Sequence, residues 1–209
     1  MHSDINFGMV GLGRMGANLV RRLAQSEITS VVHDVNPETV LLMATEGFTP
    51  AHTLAELVAA LPTPRTVWVM VPSGVADSTI ADVASYLSPG DTIIDGGNSF
   101  YKNDIANAAK LEENGIHFID VGTSGGVFGL ERGYSLMIGG DKAVVEYLDP
   151  LFKALAPKFE AVVRTPGRTG EPTRGELGYF HCGPVGSGHF VKMIHNGICL
   201  LYTSPSPRD

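Results

Sequence analysis

A chain of 209 residues, 44% hydrophobic and 18% charged, has room for one α/β domain or for one domain and the start of a second. Its net charge of −7 and its lack of a basic patch exclude nucleic acid and an anionic membrane as partners, while small anionic ligands held by a few backbone N–H groups stay open. Two cysteines make neither a disulfide framework nor a CxxC metal site. With no signal-peptide pattern and no apolar run of ~18 residues, a cytoplasmic chain is expected.

In chain order, Ile5–Val10 is an apolar strand ending in Gly11-Leu12-Gly13-Arg14-Met15-Gly16, and Met15, Leu19, Val20 and Leu23 then share one helix face. Ser30–Val32 is a second strand that closes at His33-Asp34, and Asn36-Pro37-Glu38 opens a helix with Pro in its first turn. Thr66–Val71 reads as a buried strand stopped by Pro72-Ser73-Gly74, and the helix through Ile80, Val83, Ala84 and Leu87 stops at Pro89-Gly90. Thr92–Asp95 ends in Gly96-Gly97-Asn98-Ser99. A helix around Ile105–Glu113 leads to the strand His117–Val121, which ends in Gly122-Thr123-Ser124-Gly125-Gly126. Tyr134–Ile138 is read as a strand, Ala143–Leu155 as a helix and Ala161–Arg164 as the last strand. Gly167–Gly178 is a polar loop, and Pro184–Ile198 starts a further helix.

Short strands alternating with helices mean a Rossmann-like, doubly wound, mostly parallel sheet. The expected division is a dinucleotide-binding domain over 1–178, then 179–198 as linker and first helix of a missing all-helical domain, then a tail over 199–209. Ligands in such sheets sit beyond the strand C-termini, and four glycine- and serine-rich ends gather there, which points to one cleft rather than four unrelated turns.

GxGxxG alone is weak evidence. After a strand, before a helix and with an acid ending the next strand, it is a dinucleotide fingerprint. Gly11 makes the tight turn, Gly13 lets the backbone approach a pyrophosphate, and Gly16 allows close helix packing, with Leu12, Arg14 and Met15 completing the loop. Asp34 would accept bonds from the adenosine ribose and repel a 2′-phosphate, and Val35 brings no cation, so NAD is expected over NADP. Asp34 can cap the following turn at the same time. His181, Cys182 and His189 lack metal-ligand spacing, and no metal is expected. Asp95 and Asp120 end strands; as a pair they could do acid–base work, but capping the glycine loops is the preferred reading.

TIIDGGNS, DVGTSGG and GHFVKMIHNG, together with GLGRMG and MVPSG, resemble the decarboxylating 6-phosphogluconate dehydrogenases, in their shorter NAD-type branch, among the β-hydroxyacid dehydrogenases. The resemblance covers residues 5 to 198. It implies oxidation of 6-phospho-D-gluconate at C3 and loss of CO2 to give ribulose 5-phosphate, in the pentose phosphate pathway or gluconate use, by a dimer or tetramer. Lys192 matches the family's general base and would have to be neutral to act. His195 and Asn196 match substrate contacts; Lys192, His195 and Asn196 are i, i+3 and i+4, on one helix face. Asn98 matches a contact to substrate and nicotinamide ribose. Ser124, Gly125 and Gly126 match the loop for the substrate carboxylate and C3 hydroxyl, and Val71, Pro72 and Ser73 match a segment lining the dinucleotide site. Without the resemblance, Lys192 and His195 would read as a solvated helix face.

The family places a Glu and then a Tyr after HNGI, as proton donor and phosphate contact; here Cys199 and Leu200 stand there. Residues 199–209, CLLYTSPSPRD, resemble a translated sequencing adaptor, and Ser204-Pro205-Ser206-Pro207 would end a helix. The expectation is a C-terminally truncated chain with an exposed apolar helix face, which binds NAD weakly and does not turn over. Two other readings stand beside it: an NAD-dependent dehydrogenase of another small β-hydroxyacid without decarboxylation, and a non-catalytic NAD-binding module.

Overall fold

The computed structural model describes residues 6–159, 164 and 166–203. β1 (Asn6–Val10) is central, with β2 (Ser30–His33) and the two-residue β3 (Thr49–Pro50) to one side. To the other side follow β4 (Arg65–Val69), β5 (Thr92–Asp95), β6 (His117–Ser124), β7 (Ser135–Gly140) and β8 (Tyr179–Gly183). All pairs from β3 to β6 are parallel; β7 runs antiparallel to β6, and β8 parallel to β7. The strand order therefore reverses direction between β1 and β4, which puts a crevice beyond their C-terminal ends.

Helices cover both faces. On one face, Leu19, Val20 and Leu23 of α1 (Arg14–Ala24) pack with Leu151, Phe152 and Leu155 of α8 (Asp149–Leu155) around Trp68. On the other, α3 (Leu54–Ala59), α4 (Ser73–Ala84) and α5 (Tyr101–Glu112) bury Leu57, Ile80, Val83 and Leu111 against Val67, Val69 and Ile93. Each such side chain contributes roughly 1.5–3 kcal/mol when fully buried, and strands covered on both faces are accordingly rich in apolar residues. Arg22 is one of several charged groups inside: its guanidinium donates to the carbonyls of Leu155, Ala156 and Leu130, tying α1 to the ends of α8 and α6 (Gly129–Arg132).

Several expected elements change. The sheet reaches Gly183, because Tyr179–Gly183, expected as linker, forms the edge strand β8. β3 and α3 fill the stretch between α2 (Pro37–Thr45) and β4, where no element was expected. The single helix expected over Ala143–Leu155 breaks at Leu148 into α7 (Lys142–Tyr147) and α8, because Pro150 cannot donate an N–H and sits in the first turn of a new helix. β4 stops at Val69, so Met70–Pro72 is loop. Of the expected strand Ala161–Arg164, residues 161–163 lie outside the described residues and Arg164 belongs to no element. α9 (Ser187–Thr203) starts three residues after Pro184 and runs on through Cys199, since nothing before Pro205 opposes the helix. Ser204–Asp209 lie outside the described residues. No helix among the described residues is long and apolar enough to cross a membrane.

Candidate active site

The loop after β1 has the form a dinucleotide requires. Gly11 adopts φ +95°, and a Cβ there would strike the Met70 carbonyl. Gly16 abuts the Gly11 carbonyl, so its close approach is to the loop rather than to the sheet. A Cβ on Gly13 would meet nothing within 4 Å, which leaves open space in front of the α1 N-terminus. No side chain caps that N-terminus and no acid lies in its first turn, so its N–H groups are available to an anion. Leu12 is buried, Arg14 is exposed and Met15 is half-buried. Asp34 accepts from the Leu12 N–H at 2.6 Å and the Asn36 N–H at 2.8 Å, which binds the end of β2 to the glycine loop and caps its own turn. Val35 beside it is 96% exposed and uncharged. These residues fit a dinucleotide.

Two further loops lean on this one. Val71 Cγ1 would lie 3.0 Å from a Cβ on Gly11, and the Val71 carbonyl 3.1 Å from one on Gly97, so Val71-Pro72-Ser73 touches both glycine loops. Asp95 shapes the second loop: its carboxylate accepts from the Gly97 N–H at 2.9 Å and the Ser99 hydroxyl at 2.6 Å, presenting exposed Asn98. Capping is thus what Asp95 does in this fold. Asp120 caps a different element: it accepts from the N–H groups of Gly186 (2.7 Å) and His189 (2.8 Å), at the start of α9.

That cap lays α9 on β6 and β7. The contact is lined by glycines, for a Cβ on Gly122 would collide with Lys192 Cβ, and one on Gly188 with the Met137 and Asp120 carbonyls. Lys192 is held so close that it is only 9% exposed, and burial pushes its ammonium pKa down, with a smaller opposing effect of Cys199. A pocket of about 360 Å³ opens beside it, lined by Ser73, Asn98, Ser99, Tyr101, His189, Lys192 and Asn196, among others. The fold thus brings Ser73, Asn98, Lys192 and Asn196 together from three separate segments. Ser124, Gly125 and Gly126 do not line the pocket; they follow Gly122, which does touch Lys192. His195 is exposed and lies outside it, with the Cys199 sulfur 3.7 Å from its Nε2. A larger groove of about 690 Å³ lies between α4 and α5, and none of the expected site residues lines it.

Two site residues escape a reading of the sequence. His189 Nδ1 donates to Asp104 Oδ2 at 2.7 Å in the interior, and Asp95 comes close enough that one ligand-type atom from each of the three lies within 4.8 Å of the others. Burial pushes the Asp104 carboxyl up to about 6, against the opposing pull of His189. Burial pulls the His189 imidazole down, but the Asp104 hydrogen bond and the charges of Asp104, Asp95 and Asp120 outweigh it and leave the pKa raised. The spacing could hold a cation, yet a protonated imidazole answers the same charge. The signal was weak: Asp104 is one polar residue in a polar helix, 85 positions from its partner.

Residues 6–163 match the family described as the NAD binding domain of 6-phosphogluconate dehydrogenase. The chain is 39% identical over 194 residues to the Bacillus subtilis protein YqeC, provisionally named a 6-phosphogluconate dehydrogenase, covering 93% of this chain and 59% of that protein. It is 37% identical over 195 residues to an NAD(+)-dependent, decarboxylating 6-phosphogluconate dehydrogenase of Haloferax volcanii, covering 93% and 58%. A Bacillus subtilis relative named as NADP(+)-dependent matches as well, at 35% identity over 201 residues. Among solved structures, the Plasmodium falciparum 6-phosphogluconate dehydrogenase superposes with TM-score 0.77 at 26% identity, over 92% of this chain and 40% of that one. The chain spans about half the length of the relatives it matches. It belongs to the 6-phosphogluconate dehydrogenase family, as a chain with that family's NAD-binding Rossmann fold.

Proposed function

We propose that this chain supplies the dinucleotide site and the general base of a decarboxylating 6-phosphogluconate dehydrogenase, and that its dinucleotide is NAD. The observation that carries the reading is the seat of Lys192: buried against Gly122, with its pKa lowered, in a pocket shared with Asn98 and Asn196. A lowered pKa raises the fraction of neutral amine that can take the C3 hydroxyl proton. Bound NAD supplies the acceptor for the C3 hydride. The Lys192 ammonium then donates to the C3 carbonyl oxygen and stabilises charge there as the C1–C2 bond breaks and CO2 leaves. Asn98 and Asn196 orient the sugar acid in the pocket, and His195, Ser124, Gly125 and Gly126, which lie outside that pocket, are where the resemblance places the further substrate contacts.

The resulting enediol needs a proton at the former C2, the carbon that becomes C1 of ribulose 5-phosphate. Cys199 and Leu200 occupy the positions where the resemblance calls for Glu and Tyr, so this chain by itself binds NAD and does not complete the reaction. The complete enzyme is a homo-oligomer. NAD is favoured over NADP because Asp34 presents a carboxylate to the ribose edge and Val35 offers no cation to a 2′-phosphate.

Titration of the purified chain with both dinucleotides, followed by 6-phosphogluconate, tests this. The expected result is tighter NAD binding, with neither NADH nor CO2 formed. Tighter NADP binding overturns the cofactor assignment, and substrate-dependent NADH overturns the inactivity. With NAD present, 6-phosphogluconate is expected to slow acetylation of Lys192, whereas protection by 3-hydroxyisobutyrate instead would favour an unphosphorylated substrate.

A further inference from the structure

The pocket wall holds one buried group that the proposed chemistry leaves unused. His189 is 3% exposed, lines the same pocket as Lys192 and lies one turn before it on α9. Three carboxylates converge on it: Asp95 from the end of β5, Asp104 from α5 and Asp120 from β6. Asp95 and Asp120 are each satisfied on both oxygens, Asp95 by Gly97 and Ser99, Asp120 by Gly186 and His189 backbone. Asp104 has His189 alone: its Oδ1 and the His189 Nε2 are buried with no hydrogen-bond partner among the described residues. β7 brings no titratable side chain, and on β8 His181 is engaged with the Gly140 carbonyl and Cys182 with the Phe180 carbonyl.

The contact beneath α9 explains what such a pair is for. Gly122, Gly139 and Gly188 let the helix come close, but glycines offer no side chains to interlock, so closeness there does not fix the helix's rotation about its own axis. The Asp120 cap holds only the first turn. We infer that His189, clamped by Asp104, is a positioning residue for Lys192: it fixes the rotation of α9 that seats the lysine against Gly122, and it joins that helix to α5 and to the Asp95-shaped loop bearing Asn98. This rests on the reading of Lys192 as the base, since only a base needs that seat.

The test reads Lys192 on the whole chain without substrate or NAD, from the pH dependence of its acetylation by acetic anhydride, quantified on the Lys192 peptide. In His189→Ala the seat loosens, the pKa rises toward that of an exposed lysine, and acetylation near neutrality slows about tenfold for each unit of rise. His189→Asn, whose amide nitrogen can reach Asp104 from near the Nδ1 position, is expected to keep most of the wild-type rate. A wild-type rate in folded His189→Ala overturns the inference, and so does an equal loss in both variants. Should His189→Ala not fold, Asp104→Ala, which removes the acceptor of the clamp, takes its place, with the same loss expected and a wild-type rate overturning. Metal analysis closes the set: stoichiometric zinc in the purified chain would overturn the clamp in favour of a metal site at Asp95, Asp104 and His189. If 6-phosphogluconate fails to protect Lys192, the substrate reading falls while these rate ratios stand.

Discussion

Gly13 and Gly16 lie three residues apart and answer to different forces. Gly13 has an ordinary φ of −58° and open space where a Cβ would go, so Gly13→Ala is tolerated by the fold and, through the unfolded chain, gains up to about 1 kcal/mol. The same methyl group stands where a diphosphate would approach the α1 N-terminus, so NAD binding is expected to be lost from a protein that melts no lower than wild type. Gly16→Ala inverts the pattern. Its Cβ would overlap the Gly11 carbonyl, a backbone atom that cannot swing aside, and overpacking of this kind costs about 1–3 kcal/mol. Alanine's helix preference returns at most about 1 kcal/mol, so a net loss is expected in thermal melts. If Gly13→Ala kept NAD affinity, the open space would not be the ligand's. The glycine fingerprint and Asp34 were legible in the sequence because backbone conformation and close approach demand particular residues at fixed spacing. The Asp104–His189 pair was not, because nothing in local spacing announces a partner 85 residues away.

At the level of elements, β1, β2, β4, β5 and β6 were legible because strands buried on both faces are rich in apolar residues and short. β8 was not: Tyr179–Gly183 is an edge strand, mostly half-exposed, and Phe180 and His181 give it no apolar alternation. α3 is six residues long, too short for periodicity to declare itself, although Thr53 caps it by accepting from the Glu56 N–H. α9 was legible from its apolar residues, but its seat came only with the structure, where two strands and a helix meet at glycines. Gly122→Ala tests that seat. Its Cβ would strike Lys192 Cβ and lie 3.0 Å from the Gly188 carbonyl, so the strand and helix must part. A loss of about 1–3 kcal/mol is expected, together with slower Lys192 acetylation near neutral pH as the amine returns to water. Loss of stability with an unchanged acetylation rate would mean that the β6 contact supports the fold and does not set the lysine.

Across the whole molecule, the charged groups set opposite pH slopes, and their windows do not coincide. Glu176 is held at about 2, chiefly by its hydrogen bond with Arg164, and Glu46 is lowered by Arg21. Their contribution is present above the ordinary carboxylate range and is lost as pH falls through their folded values; both pairs lie at the surface within reach of solvent, where they are screened and weak. Asp104 acts the other way. Its folded value of about 6 lies above its unfolded value, so the native chain holds a proton that the unfolded chain has released, and stability falls as pH rises from about 4 to about 6. His189 extends the same slope: its raised pKa gives stability fully present below about 6.5 and lost as pH rises through the folded value. Lys192 opposes this only at higher pH, because a lysine whose folded pKa is lowered favours the fold as pH climbs from that value toward the unfolded one. The buried pair, shielded from solvent, outweighs the exposed carboxylates, so melting temperatures are expected to be higher near about pH 5 than near about pH 8. In His189→Asn the His189 part of that slope disappears, while Asp104, released from the imidazole charge that lowers it, keeps its proton to higher pH, so the remaining fall should belong to one group and move upward. A wild-type chain that grows more stable from about pH 5 to about pH 8 would place the dominant titrating group outside this pair.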